Sequence, residues 1–107
     1  MFKPVDWTVG IPASTLIITG TQVRGRFPLD GASVREVRYR LDDGNITSYI
    51  VYDDNGRAIK RVDLTGKAHA GIPTPHVVEY KQNQNPAGDI FVQAEKIVRP
   101  ARADEIP

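Results

Sequence analysis

Hydrophobic and polar residues alternate along much of the chain, with the period of two that is typical of half-buried β-strands. The run VREVRYRL places Val37, Tyr39 and Leu41 on one side and polar residues on the other. The next run, ITSYIVYD, is rich in the β-branched and aromatic residues that strands favour. Three later runs are interpreted as further strands: RAIKRVDL, HVVEYKQ and DIFVQAEKIV.

Turn signals separate the first three of these strands. DDGN lies between the first and second runs, and DDNG lies between the second and third. Sequences of this kind close β-hairpins, and the Asn55-Gly56 pair is predicted to form a type I′ turn, which needs positive φ at both central residues. The pattern therefore predicts three consecutive antiparallel strands over residues 34–64.

The ends of the chain carry weaker patterns. The run STLIITGTQVRGRF predicts one or two strands broken at Gly20 or Gly25, and the weak helical candidates are residues 31–37 and 92–98. Residues 99–107, RPARADEIP, have two prolines and no apolar pattern. We expect one domain over residues 1–98, followed by an extended C-terminal tail.

The predicted fold is mainly β to α+β, a single domain with a twisted antiparallel sheet of five to seven strands and little helix. A chain of 107 residues has room for one core. The absence of cysteine excludes a disulfide framework, a Cys-ligated zinc and a thiol nucleophile. No apolar run approaches the roughly 20 residues that a membrane-spanning helix needs.

One loop gathers the residues that could carry chemistry. Residues 65–75, TGKAHAGIPTP, contain two Gly and two Pro and are predicted to be irregular. The two histidines of the chain, His69 and His76, lie in this loop and at its end. Residues 57–81 also carry five basic side chains against two acidic ones. Loops held by a rigid sheet are where functional sites tend to lie.

Two neighbouring histidines can act as general base and general acid, because imidazole titrates near neutral pH. Cleavage of RNA by its own 2′-hydroxyl needs such a pair and a cation for the developing phosphorane charge. We expect Lys60, Arg61 and Lys67 to supply the cation. If His76 opens a strand, Tyr80 lies on the same face, too far along it for a direct hydrogen bond.

From Tyr49 to Tyr80, the run YIVYDDNGRAIKRVDLTGKAHAGIPTPHVVEY resembles the bacterial toxin 24 family, and the ending VRPARADEIP is similar as well. Such domains form the C-terminal toxins of polymorphic toxins, including contact-dependent inhibition and Rhs-type effectors. Many of these toxins have a helix followed by an antiparallel sheet, as in the barnase, colicin and RelE-like ribonucleases. That fold is the alternative expectation, although the start of this chain shows little helical pattern.

The resemblance implies a metal-independent endoribonuclease without a cofactor. Its substrate would be RNA, and a cognate immunity protein would neutralise it in the producing cell. Such a domain is secreted or displayed as part of a larger toxin and acts in the cytoplasm of the target bacterium. The positions that match the family's motif include those chosen from the residues themselves. We expect these to be His76 and His69 for acid–base catalysis, Lys60, Arg61 and Lys67 for the phosphate, Thr74 to orient it, and Tyr80. Two alternatives stay open: a non-catalytic β-domain that binds a partner protein, and a metal-dependent DNase using His69, His76 and Asp63.

Overall fold

Six strands lie side by side in one sheet, in the order in which they occur along the chain. The computed structural model describes residues 2–107, and the side chains of all of these except 94–96. Its elements are α1 (Ala13–Thr19), β1 (Thr21–Gln22), β2 (Val37–Asp42), β3 (Asn45–Tyr52), β4 (Ala58–Asp63), β5 (His76–Gln84), β6 (Ile90–Pro100) and a 3₁₀ helix (Ala103–Glu105). The predicted β-rich single domain with little helix is confirmed.

All neighbouring strands from β2 to β6 are antiparallel, and the short β1 runs parallel to β2. The predicted three-stranded meander corresponds to β2, β3 and β4. An isolated bridge between Phe2 and Gln82 attaches the N-terminus to β5. Residues 92–98, a weak helical candidate, belong to strand β6.

The run STLIIT forms most of helix α1, so the strand predicted there is wrong. Ala13 and Leu16 are buried, and Ile17 packs beside them, which is the i, i+3, i+4 spacing of a helical face. β-branched residues lower helix propensity only slightly, and packing on the sheet overrides it. Among the described residues no helix is long and apolar enough to cross a membrane.

The type I′ geometry occurs at the first hairpin turn and not at the second, where it was predicted. Asp43 and Gly44 have φ of 51° and 78°, the pair of positive values that a type I′ turn needs. At the second turn only Gly56 of the Asn55-Gly56 pair has positive φ, 74°, so the type I′ turn predicted there is wrong. The Asp53 carboxylate accepts hydrogen bonds from the backbone N–H groups of Asn55 and Arg57 and fixes this different turn.

The pleat gives the sheet two different faces. We call the face on which α1 packs the covered face, and its buried apolar residues include Val37, Tyr49, Val51, Val62 and Val77. We call the opposite face the histidine face, because it carries His76. A second cluster lies there, formed by Ile50, Tyr52, Ala58, Val78 and Tyr80 beneath Phe27 and Leu29.

A buried ion cluster ties both ends of the chain to the covered face. The Lys60 ammonium, 2% exposed, donates to Asp6 at 2.7 Å and to Glu105 at 2.9 Å. Two further bonds, of 2.7 and 2.9 Å, join the Arg99 guanidinium to Glu105. The hydroxyl of Tyr49 donates to the Glu105 carbonyl at 2.6 Å. The C-terminal residues are therefore packed against the sheet, and the extended tail expected for residues 99–107 is not what the chain forms.

We predict that replacing Glu105 by Gln makes the fold less stable and less sensitive to acid. Burial acts to raise the pKa of Glu105, but hydrogen bonds from Arg99, the Arg102 backbone and Lys60 outweigh it and lower the pKa from 4.5 to about 2. The ionised group therefore stabilises the fold above about pH 4.5, and this contribution is lost as the pH falls towards 2. Urea unfolding should show a loss of about 3 kcal/mol for the variant at neutral pH and a shallower acid-side decline.

The neighbouring Asp104→Asn variant is the control, because Asp104 is partly exposed and pairs with the exposed side chain of Arg102, whereas Glu105 is buried. At neutral pH its free energy of unfolding should fall much less than that of the Glu105→Gln variant. Equal losses for both variants, or an unchanged acid-side decline in E105Q, would show that the Lys60 cluster does not hold the ends in place.

Candidate functional site

A row of polar side chains crosses the histidine face from strand to strand. The register pairs Arg40 with Ser48, Ser48 with Asp63, and Asp63 with His76, so these residues stand next to one another on β2, β3, β4 and β5. We call these four residues the polar row. The row ends at β5, where the loop of residues 64–75 joins the sheet. The predicted loop and the sheet therefore meet at His76.

His76 opens β5 as predicted, but its side chain is only 1% exposed. The Nδ1 atom lies 3.0 Å from the carbonyl oxygen of Ile72, and Nε2 lies 2.9 Å from Oδ2 of Asp63. Both partners are acceptors, so the ring satisfies both contacts only when both nitrogens carry protons. Neither nitrogen faces solvent. His76 is therefore buried, because strand pairing encloses it between Asp63 and the loop.

Asp63 joins His76 to two further predicted residues. Its carboxylate accepts two hydrogen bonds of 3.0 Å from Nε and Nη2 of Arg61, the bidentate geometry that suits a guanidinium. Nη1 of Arg61 lies 3.3 Å from the Tyr80 hydroxyl. Tyr80 is thus connected to His76 through Arg61 and Asp63, without a direct bond, as the spacing along β5 predicted.

Burial and charge set the protonation states around this carboxylate. Burial acts to lower the pKa of Arg61, but the hydrogen bonds and charge interactions with Asp63 and Tyr80 together outweigh burial, and the pKa is raised. Burial raises the pKa of Tyr80 above its ordinary value, although the nearby Arg61 charge partly opposes this. Arg61 is therefore a fixed cation, and the Tyr80 phenol stays protonated at neutral pH.

His69 lies in a tight turn that the sequence did not reveal. The backbones of His69 and Ile72 exchange two hydrogen bonds, of 2.9 and 2.8 Å, around Ala70 and Gly71, which have φ of 49° and 78°. The His69 ring centroid lies 6.0 Å from that of His76 in an edge-to-face arrangement. The two histidines are therefore neighbours, and His69 is the one that is partly exposed.

The structure places Thr74 and Lys67 in the same loop. The Thr74 hydroxyl donates to the carbonyl of Gly66 at 3.3 Å, which braces the loop across its base. Lys67 is exposed, and no described carboxylate pairs with it. Both residues belong to the loop that presents His69.

Lys60 is the predicted site residue that the structure does not bring to the others. It alternates with Arg61 along β4 and therefore points to the covered face, where Asp6 and Glu105 neutralise it. A buried ammonium that already has two carboxylate partners is not available to a phosphate on the opposite face. We therefore leave Lys60 out of the candidate site.

Of the four residues in the polar row, the sequence predicted only His76 as a catalytic residue. Asp63 was considered only as a metal ligand, and Arg40 and Ser48 were not considered as site residues. The alternation in VREVRYRL does put Arg38 and Arg40 on the polar side of β2, so a signal was present. Pairing that side with Ser48 and Asp63 required the register across three strands.

Comparison with protein-family models identifies the family to which the chain belongs. The model of the family described as bacterial toxin 24 matches residues 19–107, which covers most of the chain and the whole candidate site. The chain belongs to the bacterial toxin 24 family. Membership of the bacterial toxin 24 family makes it a bacterial toxin domain and confirms the resemblance seen in the sequence. No curated protein and no solved structure matches the chain.

We predict that His76→Ala destabilises the domain. The change removes a buried ring and takes one partner from the Ile72 carbonyl and one from the Asp63 carboxylate, at a cost of about 3 kcal/mol. His69→Ala, at a partly exposed ring with no side-chain hydrogen bond among the described residues, should cost less than about 1 kcal/mol. Urea unfolding of both variants measures the difference. A His76→Ala domain as stable as its parent would contradict the burial described above.

Proposed function

We propose that this toxin domain is a metal-independent endoribonuclease that leaves a 2′,3′-cyclic phosphate. The observation that carries the proposal is the position of His69. Its partly exposed ring lies 6.0 Å from the His76 ring, which is itself linked to Asp63 and Arg61. A partly exposed imidazole next to a second histidine, with the exposed Lys67 in the same loop, is an arrangement suited to attack on a phosphodiester.

In this proposal His69 performs the proton transfer. It accepts the proton of the 2′-hydroxyl as the 2′-oxygen bonds to phosphorus. The bond between phosphorus and the 5′-oxygen breaks, and the leaving 5′-oxygen takes a proton from water or from the His69 imidazolium. His69 is preferred to His76 for this role because both nitrogens of His76 already contact Asp63 and Ile72.

His76 then acts as a positioning residue. Its Nδ1 binds the carbonyl of Ile72, and that carbonyl also closes the turn that begins at His69. Asp63 holds the other side of the ring at 2.9 Å. The charge that develops on the phosphorane would be balanced by the exposed Lys67. Arg61 already pairs with Asp63 and would help to position that carboxylate.

The alternatives make different demands on the same residues. A metal-dependent DNase would need His69, His76 and Asp63 to converge on one ion. Among the described residues no three His, Asp or Glu side chains are gathered closely enough to hold a metal ion. A non-catalytic domain would not need His69 for proton transfer. A chelator should abolish the activity of a metal-dependent DNase and leave the proposed ribonuclease active. Replacement of His69 should strongly slow cleavage in our proposal and change nothing in a non-catalytic domain.

The proposed protein partner follows from the same site. A domain that cleaves RNA would harm the cell that makes it, so we propose that a cognate immunity protein binds the histidine face. The surface of that protein should be acidic where it faces Lys67, because like charges placed together at an interface are unfavourable. Delivery as part of a larger secreted or surface-displayed toxin, and action in the cytoplasm of the target bacterium, belong to the same proposal.

We predict that the purified domain cleaves oligoribonucleotides equally well with and without EDTA. The 5′ product should end in a 2′,3′-cyclic phosphate, because the nucleophile is the adjacent 2′-hydroxyl. A substrate with 2′-deoxyribose at the cleaved position should be intact for the same reason. Mass spectrometry of the products measures both. Loss of cleavage with EDTA, or cleavage of the deoxy substrate, would contradict the proposed mechanism.

Within the same assay, His69→Asn should slow cleavage by about 10²–10⁴-fold, the usual effect of losing a general acid or base. Lys81→Gln is the control, because it removes one charge from β5 outside the site. A fully active, well-folded His69→Asn domain would show that another group transfers the proton.

A further inference from the structure

Arg40 is held in one orientation by neutral groups. Its Nε donates to the hydroxyl oxygen of Ser48 at 2.9 Å, and its Nη1 donates to the carbonyl of Gly25 at 3.1 Å. Its guanidinium carbon lies 4.5 Å from the centroid of the Phe27 ring. These three contacts come from β3 and from the segment before β2, so the group is fixed from two sides.

The other arginines of β2 and β4 differ in charge balance. Arg38 pairs with Glu36, and Arg61 pairs with Asp63, so each has a carboxylate beside it. No described carboxylate lies within ion-pairing distance of Arg40. Arg40 therefore combines a preset orientation with an uncompensated positive charge. A planar guanidinium in that state suits the oxygens of a phosphate.

The position of Arg40 on the polar row decides which phosphate it can reach. Arg40 and His76 lie on β2 and β5, three strand spacings apart, which is about 14 Å between the strands. The contact to Ser48 on β3 and the contact to Gly25 before β2 hold the guanidinium near β2 and β3. A phosphate bound there is a different one from the phosphate that reacts beside His69.

Further positive charge lies next to this position. Arg24 and Arg26 are exposed and flank Gly25, whose carbonyl binds Arg40. Lys67 is exposed in the loop that joins β5 at the other end of the polar row. Basic side chains are therefore associated with both ends of the row.

We infer that Arg40 forms a subsite for a phosphodiester that flanks the scissile bond, so that the domain prefers RNA strands longer than a dinucleotide. The inference rests on the proposed function, since it assigns a substrate class to the same face. It adds a binding residue that lies outside the loop of residues 64–75.

The test compares Arg40→Gln with the parent on two substrates that share one cleavable step, a dinucleotide and a hexanucleotide. The variant should lose about tenfold more kcat/KM on the hexanucleotide than on the dinucleotide, because only the longer strand offers a flanking phosphate. On the hexanucleotide, the slope of log kcat/KM against log salt concentration should also become shallower by about one, because one phosphate contact is lost. Arg38→Gln is the matched control on the same strand and face, and it should show no such preference, because Glu36 already neutralises Arg38. Thermal melts check the fold of both variants.

Equal losses on the two substrates, or no loss on either, would overturn the subsite. If the parent cleaves neither substrate, the proposed function fails and the subsite is then decided by binding alone. A 2′-O-methyl hexanucleotide should bind the parent about tenfold more tightly than it binds Arg40→Gln. Equal affinities in that measurement would overturn the subsite independently of catalysis.

Discussion

The candidate site depends on one carboxylate, that of Asp63. It accepts two hydrogen bonds from Arg61 and one from His76, so it links neighbouring strands β4 and β5 by their side chains. Through His76 it also reaches the Ile72 carbonyl, which closes the turn that presents His69. A buried carboxylate needs such donors to offset its desolvation, and here those donors are the residues of the site.

The two faces of the sheet use charge in different ways. On the covered face, Lys60 and Arg99 are matched by Asp6 and Glu105, and this cluster holds the two ends of the chain. On the histidine face, Arg40 and Lys67 have no described carboxylate partner. Positive charge that is compensated stabilises the fold, whereas positive charge that is oriented but uncompensated is available to an anionic ligand. This difference is the physical basis for our proposal that RNA binds the histidine face.

Local pattern accounts for the parts of the fold that sequence reasoning found. The alternation through Val37 and Tyr39 predicted the meander, and the loop between β4 and β5 was placed correctly because Gly and Pro interrupt that alternation. Helix α1 was missed because its Leu-Ile-Ile run resembles a strand until its packing on the sheet is known.

The errors at the site came from long-range contacts. Lys60 is buried by Asp6 and Glu105, which lie 54 and 45 residues away along the chain. His76 is enclosed only because β4 places Asp63 opposite it. Neither contact has a local sequence signature. Local pattern therefore located the loop and the start of β5, but it could not show which of their side chains are buried and which are exposed.

The most direct measurement is an NMR titration of the ¹⁵N-labelled domain with a 2′-O-methyl oligoribonucleotide, which can bind but cannot be cleaved. The account predicts that backbone amide shifts change around Lys67, His69 and the strand around Arg40, while the amides around Lys60 and Glu105 stay in place. Shifts confined to the covered face, or no binding at all, would contradict the claim that the histidine face is where this toxin domain meets RNA.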